Sequence, residues 1–231
     1  LMNVIIFGPP GAGKGTQSNN IIKDLDLKQV STGDLLRNEI KNQTKLENTI
    51  DSLIKNGELV PDEIINMLIE KIISDPQNFN RLIFDGYPRT LSQAKILDKL
   101  LKKFKQKISI AVSLKVDKHI VLKRINGRIT CSKCFMIFNE YFDPPNSKNH
   151  HCEKKYLKRR TDDNSKTFLN RFDTYIVKTR PVLNYYKKKG TLFEIDGNDK
   201  IVEIYNKIKG ILRDIRDWHY AGVLYKFLLK I

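Results

Sequence analysis

The chain has 231 residues and carries 42 Lys and Arg against 26 Asp and Glu, which gives a formal net charge of +16. This length allows one sizeable core with insertions, and the basic charge suits anionic partners such as nucleotides, nucleic acid or an acidic membrane surface. No apolar run is long enough to span a bilayer, and the three cysteines are not spaced as a secreted disulfide framework, which favours a reducing compartment. No signal peptide or clear transit peptide is visible, although Leu1 precedes Met2 and leaves open whether residues stand upstream.

A glycine-rich segment at residues 8–16 (Gly-Pro-Pro-Gly-Ala-Gly-Lys-Gly-Thr) follows the apolar run at 3–7 and precedes a stretch that predicts a helix from near Gln17. The spacing Gly-x4-Gly-Lys lets backbone N–H groups turn toward a polyphosphate, and the N-terminus of the next helix adds partial positive charge. We therefore predict a phosphate-binding loop in which Lys14 reaches the terminal phosphates and Thr16 reaches a phosphate or its Mg²⁺. The alternative is a glycine turn with an ordinary surface lysine.

Apolar runs rich in β-branched residues alternate with stretches of helical spacing along most of the chain. This alternation predicts an α/β fold with a parallel sheet flanked by helices on both faces. The expected strands lie near residues 4–7, 27–30, 82–84, 108–116 and 191–195. Residues 129–160 fit neither period, and a stretch of that length is typical of a functional lid.

Two further segments predict the starts of helices. In residues 31–37 (Ser-Thr-Gly-Asp-Leu-Leu-Arg) a hydroxyl residue caps a helix, and Arg37 lies about one turn in, where it can bind a phosphate. In residues 57–62 a glycine turn leads to Leu59 and Val60, which can belong to the core or line one side of an aromatic base. Neither segment alone decides the function.

Residues 81–85 (Arg-Leu-Ile-Phe-Asp) predict a strand that ends in an acid. Such an acid lies at the carboxyl edge of the sheet beside the phosphate loop, so we assign Asp85 to orienting Mg²⁺ through water. The turn that follows presents Arg89 over the same edge, with Gln93 one helical turn further on. The alternative is that Asp85 only leads into a helix.

A helix is expected after Asp117, and it is predicted to run through Arg124 to Arg128. Arginines four residues apart would lie on one helical face and could share an anion. The alternative is a solvated basic face.

These segments occur in the order and spacing of the adenylate kinases, with Arg-Thr-Asp-Asp at residues 160–163 as a further shared motif. The chain resembles that family from about residue 3 to about residue 215. The resemblance implies a P-loop nucleoside monophosphate kinase with a parallel five-stranded sheet and two insertions, a monophosphate-binding segment and a long lid. The implied divisions are a core at 1–30, 61–127 and 164–217, a monophosphate-binding segment at 31–60, a lid at 128–163 and a tail at 218–231.

The resemblance further implies reversible, Mg²⁺-dependent transfer of a phosphoryl group from a nucleoside triphosphate to AMP. The implied residues around the donor nucleotide are Gly11, Ala12, Gly13, Lys14, Gly15, Thr16, Arg124 and Arg128. Those implied for the acceptor are Thr32, Arg37, Glu58, Leu59, Val60, Gly86, Arg89, Gln93, Arg160 and Arg171. The groups implied to act on the phosphates in transfer are Lys14, Arg89, Arg124, Arg128, Arg160 and Arg171. Asp162 and Asp163 are implied to position the lid arginine.

Three other functions are weighed against ATP:AMP transfer. A GTP:AMP phosphotransferase would share nearly all of these motifs, and its compartment would be the mitochondrial matrix rather than the cytoplasm. A pyrimidine monophosphate kinase is disfavoured by Thr32, where such relatives tend to have Ala. A nucleic-acid-binding zinc-knuckle protein with a nucleotide switch is disfavoured by the ordered arginines, so no nucleic-acid partner is expected. Family members are usually monomers.

Cys131, Cys134 and Cys152 have the spacing of most of a zinc ribbon. The family position of the fourth ligand is Lys155 here, which cannot bind zinc while protonated. His150, His151 or Glu153 are the candidates to replace it. The alternative is a knuckle without metal, held by packing of the aromatic residues Phe135, Phe138, Tyr141 and Phe142.

A long helix is predicted from residue 162 to residue 190, with a kink or interruption at Pro181. The tail at 218–231 is too short to cross a bilayer. We expect it to pack against the core, with a membrane interface or a partner as the alternatives.

Overall fold

A computed structural model describes residues 2–42, 47–160 and 162–228 of the chain. Its strands are β1 (Asn3–Phe7), β2 (Lys28–Ser31), β3 (Leu82–Asp85), β4 (Ile108–Lys115), β5 (Arg128–Cys131), β6 (Ile137–Asn139), β7 (Leu157–Lys158) and β8 (Leu192–Asp196). Its helices are α1 (Lys14–Leu25), α2 (Thr32–Lys41), α3 (Glu47–Asn56), α4 (Asp62–Ile73), α5 (Leu91–Lys103), α6 (Lys118–Asn126), α7 (Ser165–Thr174), α8 (Arg180–Lys188) and α9 (Ile201–Leu228).

Five strands form a parallel sheet in the order β2-β3-β1-β4-β8, which confirms the predicted α/β fold. The central strand β1 is buried along its whole length. Its side chains alternate between two apolar cores: Ile5 and Phe7 belong to one, and Val4 and Ile6 belong to the other. Because both faces of a parallel sheet are covered by helices, every position of its central strand is apolar or satisfied internally.

The stretch that fits neither period contains a second, smaller sheet. Strands β5, β6 and β7 pair antiparallel in the order β6-β5-β7, with Ile129 opposite Phe138 and Cys131 opposite Leu157. These strands are only two to four residues long, which is why no clear alternation marks them in the sequence.

Two predicted helix positions are wrong. The first helix begins at Lys14 rather than near Gln17, because Gly13 already adopts the left-handed conformation that precedes it. Arg128 does not lie on a helix with Arg124, since α6 ends at Asn126 and Arg128 is the first residue of β5. Gly127 allows this turn: a Cβ there would lie 2.5 Å from Cδ2 of Tyr141.

The long helix predicted over 162–190 starts later and is interrupted. It begins at Ser165, where the Asn164 side chain accepts a hydrogen bond from the Thr167 N–H. A π-helical turn at Tyr175–Thr179 separates α7 from α8. Pro181 has no N–H to donate to the preceding turn, so the interruption falls where the sequence predicted it.

The last helix, α9, runs for 28 residues, and Ile204, Ile208 and Leu212 on its first half are buried against the sheet. The sequence predicts that the tail at 218–231 packs against the core. The side chains of these residues lie outside the described part of the structure, so the prediction stays open. Among the described residues, none of the helices has the combined length and apolar character that crossing a membrane requires.

Candidate functional site

The phosphate-binding loop joins β1 to the N-terminus of α1. Gly11 and Gly13 have φ values of 82° and 88°, and a Cβ on Gly11 would lie 2.8 Å from the carbonyl oxygen of Val121. Lys14 folds back over the loop, where its Nζ donates to the carbonyl oxygens of Gly8 at 2.8 Å and Pro9 at 2.9 Å. Burial lowers the pKa of Lys14 to about 8. The loop therefore holds a partly desolvated cation at the helix N-terminus, where a polyphosphate would be favoured.

Asp85 ends β3 beside this loop, with Ile6 of β1 as its register partner. Gln29 donates a hydrogen bond from Nε2 to Oδ2 of Asp85 at 3.1 Å. Burial raises the pKa of Asp85, and the nearby charge of Lys14 opposes that rise. The carboxylate is thus held in one orientation at the carboxyl edge of the sheet, opposite the cation of the loop.

A first cleft lies between α2, the end of α3 and the turn after β3. Nine of the ten residues expected around the acceptor line it, and they are Thr32, Arg37, Glu58, Leu59, Val60, Gly86, Arg89, Gln93 and Arg171. The Thr32 hydroxyl donates to the carbonyl oxygen of Gly86 at 2.8 Å. Gln93 accepts the Arg89 N–H at 2.6 Å and donates to Asp62 at 2.7 Å, so its amide orientation is fixed. The lining of this cleft combines apolar side chains such as Leu59 and Val60 with the arginines Arg37, Arg89 and Arg171.

A second cleft adjoins the phosphate loop. Gly8, Pro10 and Lys14 line it together with Arg89 and Arg171. These two arginines also line the first cleft, as do Gly57, Leu59, Gly86 and Tyr87, so the two clefts adjoin and share both arginines.

Several arginines around this junction are half-buried and interact electrostatically with one another. Arg171 Nη1 lies 2.6 Å from Oδ2 of Asp162, and Arg128 Nε lies 2.7 Å from Oδ2 of Asp163. Among the ion pairs of the described residues, none includes Arg89, whose Nε donates to the Gly86 carbonyl oxygen at 2.7 Å.

The arginines at the junction therefore concentrate more positive charge than the neighbouring carboxylates neutralise. Burial, and then the neighbouring Arg171, lowers the pKa of Arg89 to about 10. Burial and Arg128 lower the pKa of Arg160 to about 10 as well. Depressed arginine pKa values mark a field that disfavours further cations and favours a bound polyanion.

Arg124 lies apart from this group. Its Nη1 donates to the carbonyl oxygen of Gly197 at 2.9 Å, and its guanidinium carbon lies 5.8 Å from the centre of the Phe142 ring. The structure thus places Arg124 beside an aromatic ring at the edge of the small sheet.

Gly57, Tyr87, Tyr175 and Thr179 are among the lining residues that the sequence analysis did not assign to the site. Gly57 and Tyr87 line both clefts and stand inside motifs that were recognised, so their position next to assigned residues was the available signal. Tyr175 and Thr179 line the second cleft from the π-helical turn, and Thr179 donates to the Arg89 carbonyl oxygen at 2.9 Å. No local pattern marks a π-helical turn in a sequence.

The small sheet carries a cluster of sulfur and nitrogen ligands. One ligand atom from each of Cys131, Cys134, His150 and Cys152 lies within 4.8 Å of the others. Hydrogen bonds from the Cys134 N–H and from His150 outweigh burial and lower the pKa of the Cys131 thiol to about 6. Three cysteines and one histidine are a common donor set for structural zinc.

Comparison with known proteins agrees with this geometry. The family model described as "Adenylate kinase" matches residues 6–191. The chain belongs to the adenylate kinase family. It is 47% identical to the adenylate kinase of Pelagibacter ubique over 212 residues, which cover 92% of this chain and all of that protein. It is 37% identical to the adenylate kinase of Archaeoglobus fulgidus over 217 residues and 37% identical to that of Thermosipho melanesiensis over 214 residues. These matches cover 93% and 92% of the chain and the whole of each relative. The chain is therefore a nucleoside monophosphate kinase.

Proposed function

We propose that this kinase transfers the terminal phosphoryl group of MgATP to AMP, giving two ADP, and that the reaction is reversible. The observation that carries the proposal is that Arg89 and Arg171 line both clefts. Two polyanions bound in adjoining clefts would meet at these guanidinium groups. The relatives described above are named adenylate kinases, which supports ATP and AMP as the pair of substrates.

The acceptor is proposed to lie in the first cleft. Leu59 and Val60 would face one side of the adenine, and Thr32 and Gln93 lie near its polar edge. Arg37 and Arg89 would bind the monophosphate as forked donors. Glu58 and Gly86 complete the walls of the same cleft.

The donor is proposed to lie over the phosphate loop. The backbone of residues 11–16 would surround its phosphates, with Lys14 leaving the carbonyl oxygens of Gly8 and Pro9 to reach them. Arg124 would hold the nucleotide at the other end. The half-buried Asp85 fits Mg²⁺ through bound water, since one of its oxygens is already fixed by Gln29. Mg²⁺ would supply neutralisation of charge between the terminal phosphates.

The transfer needs no protein nucleophile. An oxygen of the AMP phosphate forms the new bond to the terminal phosphorus of ATP, and the bond from that phosphorus to the bridging oxygen breaks, so ADP leaves. The chain must align the two phosphates and stabilise the charge in transfer, and we assign this to Lys14, Arg89, Arg128, Arg160 and Arg171. An arginine at such a position contributes about 10³–10⁵ in rate.

We propose that segments 31–60 and 128–163 close over the two substrates. Closure would exclude water, which protects the donor from hydrolysis. The contact between the small sheet and the loop supports this: a Cβ on Gly15 would lie 3.4 Å from Cδ1 of Ile137 in β6. Such a closed chain functions as a monomer, without contributions from a second copy.

We further propose that the small sheet binds structural zinc through Cys131, Cys134 and Cys152, with His150 as the fourth ligand. Nε2 of His150 is buried and, within the described residues, has no hydrogen-bond partner. Lys155, at the position where the family has its fourth zinc ligand, instead forms an ion pair with Glu153 at 2.9 Å. Zinc would supply a cross-link between two loops that hydrogen bonds alone connect weakly.

The test is ADP formation from AMP with MgATP and, separately, with MgGTP, in the wild type and in Arg89→Ala. We expect faster turnover with ATP and a loss of about 10³-fold in Arg89→Ala. Faster turnover with GTP would make the enzyme a GTP:AMP phosphotransferase, for which the mitochondrial matrix would be the expected compartment. For ATP as donor we propose the cytoplasm, which the bacterial and archaeal sources of the relatives favour. Absence of turnover with either donor would contradict the proposal and favour the nucleic-acid alternative.

A further inference from the structure

The C-terminal end of α3 has its carbonyl groups satisfied in two different ways. The last four carbonyl groups of a helix have no partner inside it. Here the Gly57 N–H donates to the Ile54 carbonyl oxygen at 3.1 Å, and the Glu58 N–H donates to that of Leu53 at 2.9 Å. Gly57 has φ 76°, so this is a Schellman motif, and it satisfies two of the four groups.

The remaining two carbonyl groups are satisfied by side chains of α7. The hydroxyl of Thr167 donates to the Lys55 carbonyl oxygen at 3.0 Å, and the side-chain amide of Asn170 donates to that of Asn56 at 3.2 Å. Thr167 is only 5% exposed, and its own N–H is held by Asn164. The donors are thus fixed on the core, while the acceptors belong to segment 31–60.

This contact sits next to the acceptor cleft without being part of it. Ile54, Gly57 and Glu58 line the cleft, whereas neither Thr167 nor Asn170 does. A Cβ on Gly57 would lie 2.9 Å from Cγ of Arg171 and 3.0 Å from the Thr167 carbonyl oxygen. Seating α3 on α7 therefore brings the cleft wall against Arg171, one of the two arginines that line both clefts.

We propose that Thr167 and Asn170 form a latch that holds segment 31–60 closed over the acceptor and so sets the affinity for AMP. This inference rests on the proposed function, because it takes AMP as the occupant of the first cleft. Both are positioning residues, since they act through the end of α3 rather than on the substrate. Opening the segment breaks both hydrogen bonds. They form again when the segment closes on AMP, and their free energy adds to that of AMP binding.

The latch differs from a general stabilising contact in what its removal changes. Each neutral hydrogen bond contributes about 0.5–1.5 kcal/mol, so two bonds change a binding constant by about 5-fold or more. The open form exchanges both bonds for water, and therefore the loss falls on the closed, AMP-bound form. The affinity for the donor, which binds over the phosphate loop, is unaffected.

The experiment compares Thr167→Val, Asn170→Ala and the double variant with the wild type. Thr167→Val removes the hydroxyl at nearly constant shape, and Thr167→Ser restores it. Ser165→Ala is the matched control, because it removes an exposed hydroxyl from the same helix. Calorimetry measures the Kd for AMP alone, steady-state kinetics measure kcat and both KM values, and the thermal midpoint reports folding.

We expect the double variant to raise the Kd and KM for AMP about 5- to 30-fold, with kcat not lowered and the donor KM unchanged. Thr167→Ser and Ser165→Ala should match the wild type within twofold. A rise in the AMP constants below threefold, an equal rise in the donor KM, or a fall in kcat without a rise in the AMP KM would overturn the latch. A wild type that binds no AMP would instead overturn the proposed function, so the two failures are distinguishable.

Discussion

Asp162 holds Arg171 at the junction of the two clefts, with its Oδ2 2.6 Å from Nη1 of the arginine. Burial would raise the pKa of Asp162, but the positive charges of Arg171 and the other arginines outweigh burial and hold the pKa below its usual value. The carboxyl group therefore stays ionised. The pair therefore supplies an arginine whose position is fixed before the substrates arrive.

The first prediction concerns this pair. Asp162→Asn keeps the size of the side chain but removes the charge that positions Arg171, and we expect kcat to fall about 10- to 100-fold. The measurement is steady-state turnover with saturating substrates. Asp24→Asn, which changes an acid paired with Lys209 far from the clefts, is the control. Full activity in Asp162→Asn would show that Arg171 needs no such support.

The second prediction separates two glycines with the same backbone conformation. Gly57 and Gly190 have φ values of 76° and 69°, so alanine strains both positions to a similar extent. A Cβ at Gly57 would meet Arg171, whereas a Cβ at Gly190 meets no atom within 4 Å among the described residues. We expect Gly57→Ala to raise the KM for AMP about tenfold or more and Gly190→Ala to leave it unchanged. Equal effects of the two substitutions would refute a specific role for Gly57.

The third prediction follows from the pKa of Lys14. Its value of about 8 in the folded chain lies below the ordinary 10.5, so the unfolded chain binds more protons between these pH values. Burying the charged amine therefore costs stability below pH 8, and this cost is relieved as the pH rises toward 10.5. Lys14→Met should abolish activity yet raise the thermal midpoint at pH 7 by about 2–6 °C.

Thermal midpoints at pH 7 and pH 9.5 check this prediction. The advantage of Lys14→Met over the wild type should shrink at the higher pH. The exposed Lys102 provides the control, because Lys102→Met should change neither the midpoint nor its pH dependence appreciably. A Lys14→Met enzyme that is less stable than the wild type at pH 7 would contradict the argument.

The fourth prediction distinguishes two adjacent histidines. His150 belongs to the cluster with the three cysteines, and its exposed neighbour His151 does not. We expect the purified wild type to carry about one zinc per chain by elemental analysis, His150→Ala to lose most of it, and His151→Ala to retain it. Treatment with a chelator should lower the thermal midpoint of the wild type and of His151→Ala, but not that of His150→Ala. A wild type without zinc would leave the cluster as a packed knuckle.

Local chemistry made much of the fold and of the clefts predictable from the sequence. The spacing of Gly11, Gly13 and Lys14 demands a particular turn, and the five apolar runs became the five strands of the large sheet. The position of Arg128 was not predictable from helical spacing, because α6 ends one residue before Gly127 to admit Tyr141. Spacing also cannot show contacts between distant parts of the chain.

The latch is an example of such a contact. Thr167 and Lys55 are 112 residues apart, and nothing near either residue indicates that a side chain of one helix completes the end of the other. The fourth ligand of the cysteine cluster is another example. Three candidates were open in the sequence, and only the fold brings His150 to the sulfur atoms.

The most direct test of the central claim follows the transferred group itself. The enzyme is incubated with ATP labelled in its terminal phosphate, with and without AMP, and the products are separated. If the two clefts bind donor and acceptor as proposed, the label appears in ADP only when AMP is present, and little appears as inorganic phosphate. Label released as inorganic phosphate at the same rate with or without AMP would contradict transfer between two bound nucleotides.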